Sequence, residues 1–289
     1  MNEATALERQ PATEARIAVE YYTDPLCSWS WSLEPQWRRL RYELGPRLTW
    51  RYRMAGMIPD WNSYDDPLNS VSSPAQMAPQ WYHVRTATGV PLDERIWHED
   101  PPSSSYPACL AVKAAALQGP EAEEAYLRRL RAAALLQRRN VSLPEVLTAV
   151  AEELAQATGR FDAERFRREL PGPAARDAFR EDLREVRYRG IGRFPSLVVR
   201  GLRSGRAVLM VGYRPYSVLR AALEELEPAL PPLRSATDPV EYVRYWGRAT
   251  AQEVAEALGS PPETAVGALS VEVDAGRLRR AGPFLYEAG

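Results

Sequence analysis

Cys27 and Cys109 are the two cysteines of this 289-residue chain, and with two histidines, His83 and His98, they bound the chemistry it can carry. Two thiols cannot build a disulfide framework, and these four residues do not stand at the spacing of an all-protein zinc site, so no metal site is expected. Cysteine chemistry must therefore come from single thiols. Cys27 lies in Asp24-Pro25-Leu26-Cys27-Ser28-Trp29-Ser30-Trp31. The residues before it alternate (Ile17, Val19, Tyr21), as in a half-buried strand, whereas Trp31, Trp37, Leu40 and Leu44 after it share one side of a helix. A thiol at such a junction meets unpaired backbone N–H groups and the positive end of the helix dipole, both of which favour thiolate. A nucleophilic Cys27 with a pKa below ~8.5 is the expectation.

The elements that must position it follow from the same patterning. Leu48, Trp50, Tyr52 and Met54 alternate as a second strand, completing a strand, helix, strand unit with a parallel pair. Residues 59–190 interrupt it, first as a Pro/Asp/Ser/Trp-rich loop region and then as helical stripes near 106–118, 121–139, 143–157, 163–170 and 174–189. Strands resume at 196–200 and 207–211 around a turn with Gly201 and Gly205, and a helix follows near 216–227. The reading is an α/β domain built from 16–58 and 191–228, with a large α-helical insertion at 59–190. Residues 1–15 carry no periodicity and predict a flexible tail, and 229–240, with Pro231-Pro232, predict a linker. In 241–289, Thr250-Ala-Gln-Glu253 is a capping box, Gly259 a helix stop and Pro262 the start of another helix. With a hairpin beyond Gly276, this predicts a small winged-helix-like domain.

The run from Asp24 to Trp31, with Pro35 eight residues after Cys27, resembles the active-site start of the thioredoxin superfamily, where Cys-x-x-Cys opens a helix. More specifically, Arg16 to Leu226 resembles the cytoplasmic DsbA/FrnE-like family, a thioredoxin-like fold with a helical insertion. Gly190-Ile-Gly-Arg-Phe-Pro-Ser196 looks like that family's cis-proline segment, which implies Pro195 opposite Cys27 and an extended substrate beside Arg193 and Phe194. Ser105-Tyr-Pro-Ala-Cys109 opens the first insertion helix, the part of the family that closes over the site, which implies an approach of Cys109 to Cys27. One departure is decisive: Ser30 replaces the second motif cysteine, so the dithiol oxidase cycle at 27–30 is excluded. Three readings remain. Cys27 works as a monothiol through mixed disulfides, with Ser30 donating a hydrogen bond to its thiolate; Cys109 resolves such intermediates; or redox function is gone and a binding scaffold persists.

The leading expectation is a cytoplasmic thiol-disulfide oxidoreductase or isomerase. Its partner would be a thiol-containing protein or a small thiol such as glutathione as co-substrate, with no tightly bound cofactor. Ser30-Trp31 also resembles kappa-class glutathione transferases, which keeps a glutathione-dependent transferase or isomerase open. A protease adaptor, a role known among relatives of the family, is the non-enzymatic alternative. Seven of eight tryptophans lie between 29 and 97. Trp37 and Trp50 read as core, while Trp29, Trp31, Trp61 and Trp97, with Trp81, read as walls of an aromatic groove.

A net charge of -1, with 45% hydrophobic and 26% charged residues, describes an ordinary globular chain without long-range attraction for nucleic acid or anionic lipid. Residues 237–289 carry eight acidic and five basic residues, a net of -3, and 262–276 contain no Lys or Arg. DNA recognition is not expected there, and dimerisation or partner docking is. The polar start and the lack of an apolar run long enough to span a bilayer suggest a cytoplasmic protein.

Overall fold

The computed structural model describes residues 15–289; the tail expected over 1–15 falls, except for its last residue, outside them. Strand β1 (Ile17–Thr23) leads into helices α1 (Ser28–Ser32) and α2 (Glu34–Leu44) and then strand β2 (Leu48–Met54). β1 and β2 are parallel, in register from Ile17 opposite Leu48 to Thr23 opposite Met54. The helix after Cys27 is broken at Leu33. Pro35 then sits in the first turn of α2, where a missing N–H costs nothing.

Seven helices separate β2 from the next strand: α3 (Met77–Thr88), α4 (Ile96–Glu99), α5 (Tyr106–Ala116), α6 (Pro120–Gln137), α7 (Pro144–Thr158), α8 (Ala163–Glu169) and α9 (Pro173–Tyr188). The first two lie where the sequence predicts loop. Met77, Ala78, Trp81 and Val84 are buried together on one face of α3, a stripe that the surrounding prolines and serines disguise. β3 (Ser196–Gly201) pairs antiparallel with β1, and β4 (Ala207–Val211) antiparallel with β3, giving the order β2-β1-β3-β4. Helix α10 (Tyr216–Leu226) buries Leu219, Leu223 and Leu226.

The insertion is fastened to the sheet by charge as well as by apolar packing. Lys113, the only lysine, is buried on α5, and its ammonium donates to Glu123 at 2.8 Å and to the Tyr52 carbonyl at 3.3 Å. It also faces Asp182 of α9 at 3.2 Å, and Asp182 in turn accepts from Arg53 at 2.9 Å and from the Met54 N–H at 3.0 Å. One network therefore joins α5, α6 and α9 to β2.

Residues 239–289 form α11 (Pro239–Trp246), β5 (Arg248–Ala249), α12 (Ala251–Leu258), α13 (Pro262–Asp274), β6 (Leu278–Arg280) and β7 (Tyr286–Ala288), with an antiparallel sheet ordered β5-β7-β6. The capping box is present: the Glu253 N–H donates to Thr250 Oγ1 at 3.2 Å, and the Thr250 N–H donates to the Glu253 carboxylate at 2.6 Å. Helix α11 is a departure from expectation, since it begins inside the segment predicted as linker, where Asp238 caps it through the Val240 N–H at 2.7 Å. The stretch before it is pinned along α2, with the Leu233 N–H donating to the Glu43 carbonyl at 2.7 Å. Among the described residues, no helix is long and apolar enough to cross a membrane.

Candidate functional site

Cys27 is the residue that precedes α1, in extended conformation, and its sulfur accepts the Ser30 N–H at 3.3 Å. The same sulfur donates to the Phe194 carbonyl at 3.6 Å, a bond that requires the proton. Only 4% of the residue is exposed. Burial raises the thiol above its ordinary pKa, a push that the Ser30 hydroxyl and N–H oppose without overcoming. The sequence-based expectation of a depressed pKa is therefore corrected. The helix N-terminus acts in the expected sense, but desolvation is larger. The Ser30 hydroxyl lies near enough to assist Cys27, yet it is buried outside hydrogen-bonding geometry with any partner.

Asp24, three residues earlier, organises the turn that delivers Cys27. Its Oδ1 accepts the Leu26 N–H at 2.9 Å, and its Oδ2 accepts the Met57 N–H at 2.7 Å, the Ser105 hydroxyl at 2.8 Å and the Cys109 thiol at 3.4 Å. It is wholly buried, and desolvation raises its pKa against the pull of these donors. Cys109 is thus a buried thiol turned to Asp24. Burial and the Asp24 charge push its pKa well up, and both cysteines are free thiols.

The Phe194–Pro195 peptide is cis, and it brings the Phe194 carbonyl to Cys27. Between this segment, α1 and the loop at 64–71 runs an open groove of about 860 Å3. Cys27, Trp29, Arg193 and Phe194 line it, joined by Met57, Tyr64, Leu68, Val71, Met77 and Tyr213, with Asp65 and Asp66 at its polar side. Trp29 packs against His83 and Tyr213 with ring centroids 6.1 Å away in each case. Leu68, at 73% exposure, is the most exposed large apolar side chain of the groove.

Four tryptophans expected in the groove are elsewhere. Trp31 is buried, donating its indole N–H to the Pro91 carbonyl at 2.9 Å beneath the Arg128 guanidinium. Trp97 is 1% exposed and packs edge-on against Trp81 and Trp61, so it is core. Trp61 donates to the Pro102 carbonyl at 2.8 Å and supports Tyr64 from behind. Trp81 is fully buried and is core as well. Of the residues that line the groove, Leu68 and Tyr213 lie in loops without periodicity and carry no sequence signal of their own. No cluster of His, Cys, Asp and Glu suited to a metal occurs among the described residues.

Comparison with known proteins places this architecture. The family described as Thioredoxin matches residues 21–221. The ClpXP adapter protein SpxH of Halalkalibacterium halodurans is 30% identical over 214 residues, 73% of this chain and 68% of that protein. Its namesake in Bacillus cereus strain ZK / E33L is 30% identical over 244 residues, covering 81% and 79%. Among solved structures, a putative protein disulfide isomerase from Nitrosomonas europaea superposes with a TM-score of 0.61 at 25% identity, covering 73% of this chain and 97% of its own. A probable DsbA oxidoreductase from Streptomyces coelicolor shares the fold at TM-score 0.56 and 21% identity, over 77% and 94%. On these matches and on the sheet, insertion and Cys27 junction described above, the chain belongs to the thioredoxin family and has its DsbA-like fold.

Proposed function

We propose that this protein is a protein-binding adaptor on a thioredoxin scaffold, holding an extended segment of a partner in the groove beside Cys27. The observation that carries this reading is an open, largely apolar groove around a thiol that is buried, not joined in a disulfide, and donating its proton to the Phe194 carbonyl. A redox catalyst needs thiolate at working pH, whereas a docking groove needs shape, apolar area and a few fixed polar groups. The adapter names of the relatives support the same reading, and by likeness the bound partner would be a protein delivered to a ClpXP-type protease. The C-terminal elements, ordered helix, short strand, two helices and hairpin, suit a winged-helix-like docking module with a net charge of -3.

A second reading keeps Cys27 chemically active as a monothiol toward a protein or glutathione. It is favoured by one observation: Cys27 is on the groove wall, beside the Phe194 carbonyl that an extended ligand would meet. The two separate cleanly. Proteins co-purifying with the tagged chain are compared with those held by Cys27→Ala and by Tyr64→Ala/Leu68→Asp, and their half-lives are followed with and without ClpXP. The adaptor reading expects the Cys27→Ala set to match wild type, the groove variant to lose it, and the captured proteins to persist longer when either ClpXP or the chain is missing. Loss of capture in Cys27→Ala alone, with a mixed disulfide recovered from wild type, would transfer the conclusion to the monothiol reading.

A further inference from the structure

Away from Cys27, a second cavity of about 660 Å3 opens between α2, α6, α7 and the C-terminal elements. Arg38, Arg41, Arg128, Arg129, Arg248 and Arg279 stand in its walls. Their carboxylate partners are too few. Glu253 serves both Arg38 and Arg128, at 2.9 Å each, and Glu287 serves both Arg248 and Arg279. Arg41 is paired with Glu124, while Arg129, half-buried, has no ion pair or hydrogen bond among the described residues. The other acids of the wall are shared: Glu34 pairs with Arg131 while also attracting Arg38, Arg41 and Arg128, Glu153 pairs with Arg139 at 2.8 Å and acts on Arg129 only from beyond ion-pair distance, and Glu121 is exposed.

Deeper in the wall the imbalance repeats in hydrogen bonds. Nε of Arg41, Nε and Nη1 of Arg128 and Nε1 of Trp50 are all buried donors without an acceptor. Arg41 is pressed 3.7 Å over Trp50 and 5.1 Å from Trp246, which keeps its charge out of water. Burial and the neighbouring Arg248 bring Arg129 down to about 10, and burial also lowers Arg41 and Arg128. Cations crowded around one cavity, with buried donors in excess, describe a site that lacks its anion.

We propose that this cavity binds a small multivalent oxyanion, a phosphorylated or polycarboxylate metabolite, held by Arg129, Arg248 and Arg279. Guanidinium forks match the oxygen pairs of phosphate and carboxylate, and the volume suits a ligand up to nucleotide size. The inner donors of Arg41 and Arg128 are sealed from solvent, so they contribute field and not contact. Because the walls come from both the insertion and the C-terminal sheet, an anion there ties the two together and stabilises the folded chain.

The test is a thermal-unfolding titration of the full chain with pyrophosphate and, separately, citrate, against sodium chloride at matched ionic strength. The expected result is a saturable rise in Tm with one of the two, which identifies the phosphate or the carboxylate source. Arg129→Gln and Arg279→Gln should each weaken the apparent affinity about tenfold or more, the usual scale for one charge-assisted hydrogen bond. Arg279, with 67% of its side chain exposed, can be replaced without threatening the fold. No saturable shift with either anion, an equal shift with chloride, or unchanged affinity in both variants would overturn the site. So would an effect abolished by Arg193→Gln, which would place the anion in the Cys27 groove.

Discussion

A carboxylate and a thiol set the character of the groove, and both are buried. Asp24 receives four hydrogen bonds, two from backbone N–H groups and two from side chains, so its replacement by alanine leaves several donors in the interior without an acceptor. We expect Asp24→Ala to cost about 3 kcal/mol or more in chemical denaturation, and Asp24→Asn to recover only part, because an amide turns a donor toward donors. A cost below about 1 kcal/mol for the alanine variant would show that water replaces the lost oxygen. Cys27 makes a different kind of prediction. Alkylation follows the thiolate fraction, and a thiol held above its ordinary pKa is almost all protonated at neutral pH. Reaction with iodoacetamide should therefore be slow at pH 7 and rise through alkaline pH with a midpoint above that of a free thiol, measured in Cys109→Ser. A midpoint below ~8.5 would restore the reactive nucleophile that the position of Cys27 at a helix start first suggests. The junction itself was legible, because strand and helix periods change at Cys27 in plain view. Its burial was not, since that depends on Phe194, 167 positions away in sequence.

At the scale of elements, charge pairs hold the additions onto the sheet. Glu253 caps α12 and at the same time neutralises Arg38 of α2 and Arg128 of α6, with 1% of its side chain exposed. Removing one partner of a buried pair leaves a charge with neither water nor counterion, and Glu253→Gln leaves two. We expect it to cost about 3–5 kcal/mol. The nearby arginines hold the Glu253 carboxyl below its ordinary pKa, so its contribution is complete above pH ~4.5 and fades as pH falls through the lowered folded value. Wild type should thus lose stability in that acidic window more steeply than Glu253→Gln does; parallel acid profiles would remove Glu253 from the account. The capping box was readable in four residues. The arginines that converge on it were not, because α2, α6 and α12 meet only in the folded chain. For the same reason α3 escaped notice: its buried stripe of Met77, Ala78, Trp81 and Val84 sits in a segment whose composition reads as loop, and Trp81 and Trp97 read as groove walls because residue type alone does not separate rim from core.

For the whole molecule, the question is whether the C-terminal elements are carried on a tether or built into one body. The connection near Pro232–Thr237 is largely exposed, which taken alone favours a tether. Against that, Arg38 donates to the Arg248 carbonyl and to Glu253 at 2.9 Å each, and Arg39 donates to the Glu256 carbonyl at 2.9 Å. These contacts do not pass through the connection and should survive its scission. If a protease site is inserted between Pro232 and Thr237 and cut, the two fragments should still co-elute in gel filtration at neutral pH. At acid pH, once Glu253 is protonated, the Arg38 and Arg128 charges lose their counterion and the fragments should separate; Glu253→Gln should separate them already at neutral pH. Fragments that part at neutral pH in the wild-type sequence would make the C-terminal elements a tethered module. In that case the arginine-lined cavity, whose walls both pieces supply, would have no fixed shape in which to hold an anion.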